Sequence, residues 1–420
     1  MNKIEGLDIS YTYKKLDNGL EVILVEDKNI DNYFISYATK YGSEITEFTP
    51  NGEKKLIKVP EGIAHFLEHK LFEEESGIDP FTYFAKSGTD ANASTSYDNT
   101  RYICYGTNNF NDNLKYLIEF VNRPYFTDKN VEKEKGIIAE ELKMYMDYPD
   151  YRLELKLREN LYHQSKRKND IGGTVDTIQD INKENLMLCY NNFYSPSNMF
   201  IIAVGNFKTK EALKIIEEVN KDRKKYDFPK IKEIKEKINV VKKYDEITSS
   251  ININKLAVGI KLDVSNIKLT DIEKRLYLNI ILDILFGETS NFKEYALIND
   301  LYRTSSFDIE TIPNIMTFYL FFQTEKEKEL LEYIKEILKN IKIEEHELER
   351  KKKTIKAELI RQTDNANTIH EIIYHDMIKY GKIIDNKMDI INKLNIKKLN
   401  SVIKKLDFNN MSVVLMKKEK

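Results

Sequence analysis

Apolar and polar positions along this chain change period in a regular way, and the changes mark out its elements. Residues 16–26 open with the turn signal Asp17-Asn18-Gly19 and continue as Leu20-Glu21-Val22-Ile23-Leu24-Val25, a strand-like run. Residues 34–41 predict a partner strand, and Ser94-Thr95-Ser96-Tyr97 and Arg101-Tyr102-Ile103-Cys104-Tyr105 two more. Helical spacing governs residues 111–120, 131–148, 153–162 and 183–193, before the strand 199–204 ends at Gly205. A charged helix near 210–219 leads into a Lys-rich stretch with Pro229, read as a linker over residues 223–237. Beyond it the order recurs: strands near 238–241 and 257–262, a helix over 272–286, a strand over 316–323, further helices and a last strand over 411–416.

Local matches support a duplication. Leu71-Phe72 pairs with Leu285-Phe286 at an offset of 214, Glu141-Leu142 with Glu358-Leu359 at 217, and Asn198-Met199 with Asn410-Met411 at 212. The expected architecture is therefore two homologous α+β domains, residues 1–222 and 238–420. A length of 420 residues exceeds a typical single core and agrees with this.

One helix carries chemistry. Pro60 suits the first turn of a helix, and in the run Glu61-Gly62-Ile63-Ala64-His65-Phe66-Leu67-Glu68-His69 the residues His65, Glu68 and His69 share one face, being three and four apart. Two imidazoles and a carboxylate then surround one point. Zinc fits them, because two nitrogen ligands leave a position for water and an adjacent carboxylate can accept that water's proton. With six His and 68 acidic residues in 420, random order would produce His-x-x-acid-His roughly 0.01 times.

Composition narrows the setting. Lys+Arg 66 against Asp+Glu 68 gives a net charge of -2, so no basic excess points to nucleic acid or an anionic membrane. Two cysteines, Cys104 and Cys189, cannot form a disulfide framework and read as small buried hydrophobes in a reducing compartment. The amino terminus lacks a secretory apolar core, and no later run reaches the roughly 18 apolar residues of a membrane span. A soluble, cytoplasmic protein is expected.

The run from Gly62 to Glu73 resembles the signature of the pitrilysin/insulinase family of zinc peptidases, the inverted HxxEH order, and most closely its small bacterial branch akin to mitochondrial processing peptidase. The resemblance implies an α+β fold of two homologous halves, each a mostly antiparallel sheet flanked by helices, facing each other across a cavity, with one zinc per chain and a distant Glu as third ligand. Glu132, Glu134, Glu140 and Glu141 are the candidates. By helical phase, Glu134, Ile137, Ile138, Glu141, Leu142 and Tyr145 share a stripe and Glu140 and Lys143 oppose it, which places two carboxylates on an apolar face. The run 134–141 resembles the family's downstream motif, whose last Glu is the ligand. Glu141 is thus the expected ligand beside His65 and His69, with Glu68 as general base and Glu134 orienting a histidine or the water.

Asp90-Ala91-Asn92-Ala93-Ser94-Thr95 resembles the family's segment leading into an edge strand, which implies peptide binding along Asn92 and Ala93; an ordinary loop entering a strand is the other reading. His163, His346, His370 and His375 lack an acid at ligand spacing and read as surface or packed histidines. At the offset of 214, Asn279, Leu282 and Asp283 replace His65, Glu68 and His69, so the second half should hold no metal. Relatives also supply an Arg and a Tyr from that half, after a Gly-Ser-rich turn. Here Tyr302 and Arg303 fall late and in the wrong order, which points to a homologous partner subunit in a heterodimer, or to a homodimer. The expected function is a zinc metalloendopeptidase acting on extended peptides or unfolded segments; an accessory subunit that keeps its metal site is the alternative.

Overall fold

The computed structural model describes residues 2–419, and two sheets dominate it. The first contains β1 (Asn2–Ile4), β2 (Ile9–Lys15), β3 (Glu21–Glu26) and β4 (Tyr33–Thr39). Two short strands follow, β5 (Glu47–Thr49) and β6 (Ile57–Lys58), before β7 (Asp90–Thr95), β8 (Thr100–Gly106) and β9 (Met199–Gly205). The order is β1-β2-β3-β9-β4-β8-β7. Strands β4 and β9 are buried at every residue, which is why their sequences run apolar without alternation. At the edge, β7 alternates between exposed and half-buried positions. Within the stretch read as a linker, β10 (Lys230–Ile231) pairs with β5, and the two form a small sheet with β6.

The second sheet consists of β11 (Tyr244–Ser249), β12 (Lys255–Asp263), β13 (Thr304–Ile312), β14 (Ile315–Gln323) and β15 (Met411–Lys418), in the order β11-β15-β12-β14-β13. Five strands of the first sheet repeat this topology as β3-β9-β4-β8-β7, with the outer pair parallel in each case, β3 with β9 and β11 with β15. The registers agree as well. Thr95, Thr100, Thr39 and Met199 lie abreast across β7, β8, β4 and β9. Ile309, Phe318, Ile260 and Met411 lie abreast across β13, β14, β12 and β15. The halves are homologous, as the sequence offsets predict.

Helices follow the same repeat. In the first half they include α1 (Ile63–Lys70), α2 (Asp128–Asp147) and α3 (Pro149–Leu161), and in the second α4 (Asp271–Phe286), α5 (Glu345–Arg361) and α6 (Ala366–Tyr380). Chain order and packing then part ways. One compact unit comprises residues 1–143, 170–233 and 358–387, the other 144–169, 234–357 and 388–420. In the first unit α6 packs on β4 and β9, His370 Nε2 lying 2.6 Å from Ser36 Oγ and Arg101 pairing with Glu371 at 2.6 Å. In the second, α3 packs on β12 and β15. The duplicated helix is thus exchanged between sequence halves.

Some expected elements differ. Residues 238–241 form no strand, because Val240 N–H donates to the Asn410 side chain and Val241 N–H to the Asn160 carbonyl, and the first strand of this half begins at Tyr244. Strands β1, β2 and β13 were not anticipated; β2 and β13 alternate polar with apolar residues. Cys104 and Cys189 are free and buried. Among the described residues no helix is long and apolar enough to cross a membrane.

A buried ion cluster ties α3 to the second sheet. Arg158 Nη1 donates to both oxygens of Glu310, at 3.0 and 3.1 Å, Arg167 Nη1 donates at 3.2 Å, and the Tyr162 hydroxyl at 2.7 Å. Burial pushes the Glu310 carboxyl up, but Arg158 and Arg167 outweigh it and leave its pKa below the usual value. Its contribution to stability is therefore present above the usual carboxylate range and is lost as pH falls through the lowered value. Glu310→Ala, which removes the carboxylate that Arg158, Arg167 and Tyr162 share, should cost about 3–5 kcal/mol in urea denaturation at neutral pH. An unchanged urea midpoint would contradict the assignment.

Candidate metal centre

The site is built where α1 meets α2. Gly62 begins α1 at φ 90°, and a Cβ there would overlap the carbonyl oxygen of Gly172. Gly173, at φ 79°, leaves no room for a Cβ, which would sit 2.6 Å from the Glu61 carbonyl oxygen. Backbone on backbone therefore sets where α1 starts, and so the phase of every residue after it. Ile63, Ala64, Phe66 and Leu67 go into the first core. His65, Glu68 and His69 are left on the opposite face, toward α2.

Helix α2 answers with two carboxylates. Glu141 Oε1 lies 3.9 Å from His65 Nε2, and Glu141 Oε2 lies 3.4 Å from His69 Nε2. The imidazole rings are 4.5 Å apart at 64°. One donor atom from each of His65, His69 and Glu141 falls within 4.8 Å of the others, and among the described residues no other group of His, Cys, Asp or Glu converges this way. Two turns earlier, Glu134 Oε1 accepts from His69 Nδ1 at 3.0 Å, and its other oxygen lies 3.8 Å from the fully buried Lys70 Nζ. The stripe differs from the sequence reading at two residues. Ile137 is 47% exposed and Tyr145 38%, because the buried face is centred on Val131, Glu134, Lys135, Ile138 and Leu142.

Protonation prepares the donors for a cation. Burial, aided by the neighbouring His69, drives the His65 pKa down to about 3, so this imidazole is neutral and keeps a lone pair. For His69 burial pulls the pKa down, but the Glu134 hydrogen bond and the charges of Glu134, Glu141 and Glu68 outweigh it, and the net shift is upward. Donation of Nδ1–H to Glu134 leaves Nε2 turned to Glu141. Glu134 is lowered, since His69 and Lys70 outweigh its burial. Burial raises Glu68, opposed by hydrogen bonds from Thr95. Two imidazole nitrogens and one carboxylate in a partly buried, anion-rich site fit a divalent zinc ion.

The second half shows what this frame becomes without ligands. Asn279, Leu282 and Asp283 stand at the positions of His65, Glu68 and His69. Lys351 stands 217 residues after Glu134 and pairs with Asp283 at 2.6 Å. The His69–Glu134 contact is thus matched by an ion pair of inverted polarity, with the acid now on the helix that had the imidazole. Glu358, the counterpart of Glu141, has no imidazole pair in the equivalent positions.

Beside the cluster runs β7, the edge of its sheet. Asn92 and Ala93 lie on it, with the Ala93 N–H donating to the Asn92 side-chain oxygen at 2.8 Å. Thr95 ends the strand and its hydroxyl donates to Glu68 Oε2 at 2.5 Å. The sequence reading missed Thr95, Lys70 and the Gly172-Gly173 pair; only the paired glycines gave a visible signal. His163, His346, His370 and His375 stay out of the cluster, and His370 is packed in the first unit's core.

Residues 58–175 match the family model described as insulinase (peptidase family M16), and residues 180–355 match that of the peptidase M16 inactive domain. The Bacillus subtilis protein named uncharacterized zinc protease YmfH is 42% identical over 291 residues, 68% of this chain and 67% of that protein. The chain belongs to the M16 peptidase family. A second B. subtilis M16 relative, uncharacterized zinc protease YmxG, is 25% identical over 379 residues, covering 84% of this chain and 88% of its own. An M16-like peptidase from Alicyclobacillus acidocaldarius superposes with a TM-score of 0.91 at 29% identity, over 98% of this chain and 99% of that one. Pitrilysin, at 16% identity and a TM-score of 0.75, shares the fold over 99% of this chain and 45% of its own. The match of the second half to an M16 inactive domain agrees with its Asn279, Leu282 and Asp283.

Gly62→Ala forces a side chain into left-handed backbone, about 1–2 kcal/mol at least, and against Gly172. A lowered melting temperature together with reduced zinc content should result. A variant that melts like the parent and binds full zinc would contradict the glycine seat.

Proposed function

We propose that this protein is a zinc metalloendopeptidase that hydrolyses extended peptides or unfolded segments. The convergence of His65, His69 and Glu141 within 4.8 Å, with Glu68 beside them, is the observation that carries the reading. His65, His69 and Glu141 would hold a zinc ion, which would supply the Lewis acidity that lowers the pKa of a water and polarises a peptide carbonyl. Glu68 takes the water's proton as general base and delivers it to the leaving amine. Burial raises the Glu68 pKa toward the range where a carboxylate can do both. Glu134 holds His69 by Nδ1–H and so fixes which ring nitrogen faces the metal.

Substrate lies along β7, whose outer edge is open for main-chain pairing, with Asn92 and Ala93 in register; such recognition reads little side-chain sequence. The Asn92 side chain gives up the Ala93 N–H when a peptide pairs there. Free, buried Cys104 and Cys189 suit a reducing cytoplasm.

A partner completes the enzyme. Tyr302 is buried and stacked on Phe292 with ring centroids 6.0 Å apart, so it is not free to hold substrate, while Arg303 makes only a surface ion pair with Asp300 at 2.8 Å and has no free tyrosine beside it to act with. This favours assembly with a homologous chain that supplies an Arg/Tyr pair. An accessory subunit that retains a metal is the competing role, and the intact Glu68 argues against it.

Metal analysis beside peptide hydrolysis tests the assignment. Chelator-free protein should hold one zinc per chain, and Glu68→Gln should keep it while losing about 10²–10⁴-fold in turnover. His65→Ala, His69→Ala and Glu141→Ala should lose zinc and activity together, and Glu134→Ala should lose about 10–100-fold in affinity or activity. Full turnover by Glu68→Gln would refute the mechanism. For the partner, hydrolysis should be weak for the chain alone and rise on mixing with a homologue that lacks the zinc motif. Full activity from a monomer at high dilution would refute that dependence.

A further inference from the structure

Glu68 is held by one residue outside its own helix. The Thr95 hydroxyl lies 2.5 Å from Glu68 Oε2. The direction is fixed by chemistry: an ionised carboxylate has no proton to give, so the hydroxyl donates. Thr95 Oγ1 also lies 3.3 Å from Thr100 Oγ1, whose own proton goes to the Tyr41 carbonyl at 3.0 Å. Both hydroxyl protons are thus committed, that of Thr95 to Glu68 and that of Thr100 to the Tyr41 carbonyl, and the two hydroxyl oxygens only touch. The terminal torsion of a Glu side chain is broad and roughly two-fold, so an unrestrained carboxylate would turn freely.

We infer that Thr95 is the positioning residue of the general base: it engages Oε2, stops the carboxylate turning, and leaves Oε1 to take the proton. The inference rests on the reading of Glu68 as base. The duplicated half supports it independently. Sheet register places Ile309 where the first half has Thr95, and the offset of 214 places Leu282 where it has Glu68. Both are buried in the second core. Where the carboxylate is absent the hydroxyl is absent too, and an apolar β-branched residue takes the strand position. The fold does not need a threonine there; the carboxylate does.

Ile309 also shows that Thr95→Val suits the strand, so this variant removes the hydroxyl with little change of shape. The test uses zinc-loaded full-length protein, in the assembly that turns over a fluorogenic peptide. Thr95→Val should lower kcat by about 10–100-fold, the range for removing a hydrogen bond that orients an active group. KM, zinc affinity by chelator competition and melting temperature should stay at parental values, and Thr95→Ser should restore most of kcat. Parental kcat in Thr95→Val beside an inactive Glu68→Gln would overturn this inference alone. Equal losses in Thr95→Val and Thr95→Ser would overturn it in favour of packing. A fully active Glu68→Gln would overturn both this inference and the base assignment.

Discussion

Glu134 and Glu141 on one helix are pressed against His65 and His69 on another, and burying such a set is favourable only when charge among the four is balanced. The protein balances part of it. Glu134 takes the Nδ1–H of His69 and sits near Lys70, while His65 is kept neutral by burial. What is left is a neutral imidazole, the free Nε2 edge of a second and a carboxylate, all facing one point. A divalent cation between them would complete the balance, and that point is framed by the glycine contacts under α1 and by β7 with its hydroxyl on Glu68.

The duplicated half makes the constraint visible by relieving it. With Asn279, Leu282 and Asp283 in place of the ligands, the same helix pair is balanced by Lys351 on Asp283, and the base position is sealed by apolar packing. Sheet order, strand register and helix offsets are kept. The fold therefore tolerates either a His/Glu cluster or an ion pair at the crossing of these two helices, and a few side chains decide which half carries the candidate metal ligands. The exchange of α3 and α6 between the compact units makes each unit depend on both halves of the sequence.

Local geometry was readable from sequence and tertiary geometry was not. The face shared by His65, Glu68 and His69 follows from helical period alone, and the phase of Glu134 and Glu141 follows from the same rule. Ile137 fell outside the buried face because phase fixes neighbours on a helix but not how wide a stripe the neighbouring core covers. Ile238, Val240 and Val241 are apolar and β-branched, yet Asn410 and Asn160 take the N–H groups of Val240 and Val241 away from any ladder. In β13 the alternation of Ser, Phe, Asp, Ile and Glu marks a half-exposed edge, a weaker signal than the unbroken apolar runs of β4 and β9. Thr95 is 27 residues from Glu68, and only the placement of β7 beside α1 brings them together.

Zinc-edge X-ray absorption on the purified, metal-loaded chain tests the central claim most directly. The account predicts one zinc environment with two imidazole nitrogens and oxygen donors at about 2.0–2.2 Å, and no sulfur. Replacing Glu141 should change the oxygen shell while leaving any remaining imidazole signal. A sulfur shell near 2.3 Å, or an environment that is unchanged when His65 and His69 are replaced, would contradict it.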